Sequence, residues 1–314
     1  MGGTFGCIGE PLSPMPAQSF IPLLQEKLNL DNEIHCFVAP SIHDSSANTA
    51  VEWCELIEQI QSLKKENFQH FIILHGTDTL SYASAFTSRI LNDSATVIFT
   101  GSQYPLLNVE ADALRINSDA TENLYFALDK IKTVKSGVYL AFNHKLFHAR
   151  TTLKIHTTAL EAFSGIEAQQ DIPFIKQTAC EITTSSKLRL TNFRCLNLML
   201  QPIQVQEQLE ILNTILKNPP HCLILQGFGS ANFAVNAEII ECLKAFQTQN
   251  CAVVLTTQVS FGSIDQRYAV SQWVKDANIL VSDCYGHADL YAKVCRMYLQ
   301  YAQQSQWQAH WANE

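Results

Sequence analysis

The 314-residue sequence lacks any run of basic residues, any long apolar stretch and any CxxC pair, and each shortage removes a class of function. Lys and Arg number 21 against 29 Asp and Glu, a formal charge of −8. Nucleic acid or an anionic membrane surface would need a basic patch, so neither is expected as a partner and the substrate is expected to be small. No apolar run approaches the roughly 20 residues of a membrane span. The opening MGGTFGCIGEPL lacks the basic-then-apolar order of a secretory signal, so the expected location is cytoplasmic. The ten cysteines are scattered, mostly inside apolar segments such as ECLKAF and CAVVL, and read as free buried thiols. The close pair His144 and His148 has no carboxylate or Cys at ligand spacing, so no metal site is expected. Neither GGTFGCIG nor GFGSAN supplies GxGxxG between a strand and a helix, and no dinucleotide or other cofactor is expected.

What is present is a hydrophobic content of 47%, enough for a sizeable core and, at this length, for two domains. Short apolar runs alternate with amphipathic stretches, the pattern of strands joined by crossover helices into a parallel sheet. Expected strands are IHCFVA from Ile34, FIIL from Phe71, TVIFT from Thr96 and GVYLAF from Gly137. Residues 49–66 and 78–91 carry apolar side chains at three- and four-residue spacing, as helices packed on a sheet do. A second unit of the same kind starts near HCLILQGFGSAN, with a helix at 237–247, strands at 251–258 and 278–283, and a closing helix from Asp289. Between the two, residues 177–193 are rich in Ser and Thr with no helical period, placing a boundary near residue 190. The expected fold is α/β: a larger N-terminal domain, 1–190, with a mainly parallel open sheet, a linker at 191–204, and a smaller C-terminal α/β domain, 205–314.

Ligands of open parallel sheets sit outside the carboxyl ends of the strands. At the end of the FIIL strand stand His75, Gly76, Thr77, Asp78 and Thr79, more polar residues than a helix cap at Asp78 or Thr79 would need. Further polar outcrops are Gly2–Thr4, His43–Ser46, Thr100–Gln103 and RTTLKIHTT with Lys154. A threonine hydroxyl is a poor nucleophile near neutral pH and needs a base; a lysine serves once desolvation lowers its pKa. Lys154 could fill that place, Asp78 could hold the amine and a substrate ammonium, and N–H groups of glycine-flanked loops could meet an oxyanion.

The ordered set GGT at Gly2–Thr4, DSS at Asp44–Ser46, HGTDT at His75–Thr79, GSQ at Gly101–Gln103 and T-x-K-x-H at Thr152–His156 resembles the bacterial cytoplasmic L-asparaginases along nearly the whole chain. The resemblance implies that Thr4 is the nucleophile toward a side-chain amide and that Thr77, Asp78 and Lys154 form a polar triad behind the substrate. It further implies that Asp44 and Ser45 grip the amino-acid head group with Asp78, that Gly76 and Ser102 lie near the substrate, and that Asn232 reaches an adjacent subunit in a homodimer or homotetramer. The expected reaction is hydrolysis of L-asparagine to L-aspartate and ammonia. Alternatives are a mixed glutaminase-asparaginase or a catalytically impaired amino-acid-binding protein of the same fold. An amidotransferase subunit acting on misacylated tRNA would be expected to carry extra domains and a basic surface.

Two departures from the family pattern shape the expectations. Family members carry an apolar strand ahead of the GGT turn, whereas here GGT follows Met1 directly, so Thr4 is expected on an unanchored, mobile end. The family's loop tyrosine has no counterpart in FGCIGEPLSPMPAQSF, since the first tyrosine is Tyr82.

Overall fold

Thr49 opens a helix because its side chain accepts from the Val51 N–H while Glu52 reaches back to the Thr49 N–H, a capping box. In the computed structural model, which describes residues 2–172, 178–262, 264, 272–301 and 303–314, the chain divides into two units, Met1–Lys187 and Leu188–Glu314. The first holds the hairpin β1 (Cys7–Ile8) and β2 (Ser13–Pro14), then α1 (Ala17–Leu28), the capped α2 (Ala50–Lys65), β3 (His70–Leu74), α3 (Leu80–Leu91), β4 (Thr96–Thr100), α4 (Ala120–Lys130), β5 (Gly137–Phe142) and β6 (Lys145–His148). A second short pair, β7 (Leu153–Lys154) and β8 (Phe163–Ser164), follows. The main sheet has the order β3-β4-β5-β6, parallel over its first three strands and closed by an antiparallel β6. Every residue of β4 is buried, as a strand covered on both faces should be. Helix α4 covers one face, with Ala127 and Ile131 in one cluster with Ile98, Tyr139 and Ala141.

Leu188–Glu314 repeats the plan with β9 (Cys195–Met199), α6 (Val205–Leu216), β10 (Cys222–Gly227), α7 (Ala237–Thr248), β11 (Ala252–Thr257) and β12 (Leu280–Val281), in the all-parallel order β12-β11-β10-β9. Side chains of β10 and β11 alternate between two cores. Leu223, Leu225, Val253 and Leu255 meet α6 and α7 through Leu212, Ile239 and Phe246. Cys222, Ile224, Ala252 and Val254 meet Leu290, Val294 and Met297 on the helix His287–Gln300, with Trp307 beyond it.

Three sequence expectations are corrected. Residues 177–193 contain α5 (Thr184–Thr191), whose polar surface hides its period: Leu190 is its one buried residue. The stretch 191–204 is not simply a linker, because β9 lies inside it as an edge strand whose half-exposed residues, with Asn197 at the centre, blunt the apolar signal. The segment from Ile34 is extended but joins no ladder among the described residues. An apolar cavity of about 630 Å³, lined by Ile34–Ala39 and by Phe71–Leu74 of β3, lies beside that segment. A strand needs a neighbour at roughly 4.8 Å to complete its hydrogen bonds, and among the described residues this segment is paired with none.

Candidate active site

The chain leaves β3 at Leu74 and turns at once, and the turn is fixed on all sides. The His75 N–H donates to the Thr100 carbonyl at 2.9 Å, holding the turn to the end of β4. Gly76 is required by close approach: a Cβ there would lie 2.4 Å from Ser45 Oγ and 3.0 Å from Gly3 Cα. Gly3 has φ +92° and would place its own Cβ 2.1 Å from Gly76 Cα, so two glycines let their backbones touch while the Ser45 side chain packs on the same spot. Thr79 stands at the N-cap of α3, yet its hydroxyl donates instead to the Ser45 carbonyl at 2.7 Å. The helix-cap reading of Asp78 and Thr79 therefore fails: neither side chain caps α3.

Asp44 does cap, but it caps the short 3-10 turn Ser45–Ala47, accepting from the Ser46 N–H at 2.8 Å, while Thr49 caps α2. Hydrogen bonds from the Ser46 side chain and backbone hold the Asp44 carboxyl below the ordinary Asp value. Its charge is thus secured at the surface beside the buried Ser45.

Lys154 comes to this turn from β7, whose pairing of Lys154 with Phe163 of β8 fixes its direction. Upstream, the Thr151 and Thr152 hydroxyls both donate to the His148 carbonyl, closing the 3-10 turn that leads into β7. The Lys154 amine then donates to Thr77 Oγ1 at 2.9 Å and to Asp78 Oδ1 at 3.1 Å. Its side chain is 21% exposed and that of Asp78 61%, so the cluster has a buried root in Thr77 and a solvent-facing tip. With Nζ donating, the Thr77 O–H proton points elsewhere; the amine can accept a proton only after losing one.

The GSQ loop is held by residues that its motif does not contain. Asp119 accepts from the Gln103 N–H at 2.9 Å and the Tyr104 N–H at 3.0 Å, and Asn123 donates to the Gly101 carbonyl at 3.0 Å. Gln103 in turn donates to Ala159 at 2.9 Å, and the Ala159 N–H donates to His156 Nδ1, so GSQ and T-x-K-x-H form one assembly. Ser102 is buried and donates to the Tyr104 carbonyl. Sequence reasoning missed Asp119, Asn123 and Asn48. The first two had a signal, a polar pair at i, i+4 on the buried side of an amphipathic helix.

Thr4 is not on a loose end, which corrects the expectation of a mobile segment. Gly3 packs on Gly76, the Gly6 N–H closes a 3-10 turn onto Gly3, and Phe5 is buried with its carbonyl accepting from Leu106 at 3.1 Å. Burial of Phe5 against Phe20, Leu24 and Leu106 supplies the anchor. Asn232 lies in the unit Leu188–Glu314, on the turn after β10, where it exchanges backbone hydrogen bonds with Phe228 and leaves its side chain exposed. The apolar cavity beside β3 reaches Gly2 and Gly3 but is lined by none of Asp44, Ser45, Thr77, Asp78 and Lys154, so the polar cluster is a separate feature.

A parallel α/β sheet with a Thr-Asp-Lys cluster at its strand ends defines the class of site, one suited to acyl transfer. The sequence model described as "Asparaginase, N-terminal" matches residues 1–186. L-asparaginase 1 of Escherichia coli is 28% identical over 301 residues, 88% of this chain and 84% of that one. The crystal structure of L-asparaginase I from Vibrio cholerae superposes with a TM-score of 0.73 at 25% identity, covering 98% of this chain and 93% of that one. The 60 kDa lysophospholipase of Mus musculus is 24% identical over 251 residues, 76% of this chain and 42% of its own length. This chain belongs to the asparaginase family of amidohydrolases.

Proposed function

We propose that this protein is an L-asparaginase that hydrolyses the side-chain amide of L-asparagine to L-aspartate and ammonia, with Thr4 as nucleophile. The observation that carries the reading is the Lys154 amine 2.9 Å from Thr77 Oγ1 and 3.1 Å from Asp78 Oδ1, on elements 76 residues apart. Relatives named L-asparaginase support the same substrate. In this reading Asp44, Ser45 and Asp78 receive the substrate's ammonium and carboxylate, with Gly76 lining the floor and Ser102 beside the amide. The Thr4 oxygen attacks the amide carbon as its hydroxyl proton passes into the hydrogen-bonded Thr77–Lys154–Asp78 cluster. The carbonyl electron pair moves to oxygen, where backbone N–H groups meet it. The amide nitrogen takes a proton and leaves as ammonia, giving an aspartyl ester on Thr4. Water then attacks the ester, releases L-aspartate and restores the hydroxyl.

The reaction as written uses only protein groups and water. The test is ammonia and L-aspartate release from L-asparagine and, separately, glutamate release from L-glutamine. Equimolar products support the reading, and L-asparagine preferred over L-glutamine separates it from a mixed glutaminase-asparaginase. L-Aspartate binding with no turnover would instead make the chain an amino-acid-binding member of the fold. Light scattering of the same sample tests the homodimer or homotetramer in which Asn232 would serve a neighbouring site.

A further inference from the structure

His75 is fully buried at the centre of the three loops, and the reaction just described gives it no part. Its ring faces two partners. Nδ1 lies 2.8 Å from the Gly76 carbonyl, which can only accept, so Nδ1 carries the proton. Nε2 is then a bare acceptor, and the group facing it is the Asn48 amide nitrogen at 3.4 Å. That contact orients Asn48, whose oxygen is left to accept from the Ser41 hydroxyl at 3.4 Å. Ser41 Oγ in turn lies 3.1 Å from the His43 ring and can accept a proton from it. The donors therefore run in one direction, from His43 through Ser41, Asn48 and His75 to the Gly76 carbonyl. Asn48 closes the 3-10 turn that begins at Ser45, its N–H donating to the Ser45 carbonyl at 3.1 Å. The chain of hydrogen bonds thus starts in the Asp44–Ser45 loop and ends in the peptide just before Thr77.

We propose that His75 is a positioning residue: its ring, held as the Nδ1–H tautomer between Asn48 and the Gly76 carbonyl, fixes the Asp44–Ser45 loop against the Thr77–Asp78 turn and so sets affinity for the amino-acid head group. The proposal rests on the asparaginase reading for its substrate but not for its geometry. Burial supports it independently by lowering the His75 pKa to about 3, which keeps the ring neutral under ordinary conditions. A neutral ring presents one donor and one acceptor, the pair that the two partners demand. Residues Asp44, Ser45, Thr77 and Asp78 stand on different loops, so an error of about 1 Å between loops is expected to cost binding before it costs folding.

The test replaces Asn48, the partner of the ring, rather than the ring itself. Asn48→Leu removes the donor to Nε2 in similar volume, and Asn48→Asp offers only acceptors, so the proton must move to Nε2 and desert Gly76. Nitrogen NMR of the imidazole should show Nδ1–H in the unaltered protein and Nε2–H or imidazolium in Asn48→Asp. L-Aspartate affinity by calorimetry should fall about tenfold in both variants, with KM for L-asparagine rising by a similar factor and kcat changing less than threefold, the pattern of lost ground-state binding. His75→Asn keeps an N–H near the Nδ1 position and should bind L-aspartate more tightly than His75→Ala, which a merely space-filling role would not produce. An Nε2–H ring in the unaltered protein, or an Asn48→Asp variant with unchanged tautomer and affinity, overturns the proposal. Absence of ammonia release by the unaltered protein would overturn the asparaginase reading alone, because the tautomer is read without turnover.

Discussion

Each unit buries charged and polar groups beside a parallel sheet, but they do so differently. In Leu188–Glu314 two buried cations are paired: Lys293, 1% exposed, donates to the half-exposed Asp283 at 2.7 Å and lies 4.2 Å from the Trp311 ring centroid. Arg296 likewise is paired with Glu314. In Met1–Lys187 the buried groups His75, Thr77, Ser102, Asp119 and Asn123 collect at the carboxyl ends of β3 and β4 and lead outward to Asp78 and Lys154. The first arrangement commits each buried cation to a carboxylate of the same unit. The second keeps capacity at the surface, and spare capacity on a buried scaffold is what a substrate can use.

The largest contrast is expected between two lysines. Lys154→Met should lower kcat by about two to four orders of magnitude, as loss of a positioned proton-transfer group does, with little change in the unfolding midpoint. Lys293→Met should do the reverse, costing about 1.5–3 kcal/mol of stability in urea unfolding while kcat stays within twofold. A Lys293 variant that unfolds like the unaltered protein but turns over poorly would break the comparison.

Two glycines sharpen it further. Gly76→Ala would drive a Cβ to 2.4 Å from Ser45 Oγ, so it should destabilise by about 1–3 kcal/mol and also abolish L-aspartate binding, read by calorimetry. Gly229→Ala meets nothing within 4 Å, and its φ of +49° alone should cost about 1 kcal/mol in urea unfolding with no change in binding.

The head-group variants act on binding alone: Asp44→Asn or Asp78→Asn should weaken L-asparagine binding by about 1.5–3 kcal/mol without affecting the fold. If acetamide were hydrolysed as well as L-asparagine, no head-group site would exist.

The pH dependence is the subtlest prediction. Burial lowers the folded pKa of His75 to about 3 from 6.5, so the unfolded chain binds a proton that the folded chain refuses. Stability tied to this group is complete above pH 6.5 and is lost as the pH falls toward 3, with a slope approaching about 1.4 kcal/mol per pH unit. His148, His221 and His287 are also lowered by burial and add to the same slope. Urea unfolding of His75→Asn should therefore show a shallower acid slope, and an unchanged slope would mean that His75 is protonated when folded.

The sequence made the fold legible where periodicity was strong. FIIL, TVIFT and GVYLAF fall in β3, β4 and β5, and the fully buried β4 shows why: a continuous apolar run suits a strand covered on both faces. It failed at Ile34, where an apolar segment has no ladder partner, and at β9 and α5, where an edge position and a polar surface dilute the pattern. At the site, motif order put Thr77, Asp78 and Lys154 in view, and the structure brings the three together. Asn48 was illegible as a site residue because its partner is a ring nitrogen that no spacing rule encodes, whereas Asp119 and Asn123 showed only as a polar i, i+4 pair that does not tell which loop backbone they hold.

The most direct test of the central claim is ammonia release at saturating L-asparagine by the unaltered protein, Lys154→Met and Thr77→Val, each with its L-aspartate affinity measured alongside. Equimolar ammonia and L-aspartate are expected from the unaltered protein, with release at least about a hundredfold slower from both variants and L-aspartate still bound within about tenfold. Equal rates in all three would contradict that claim.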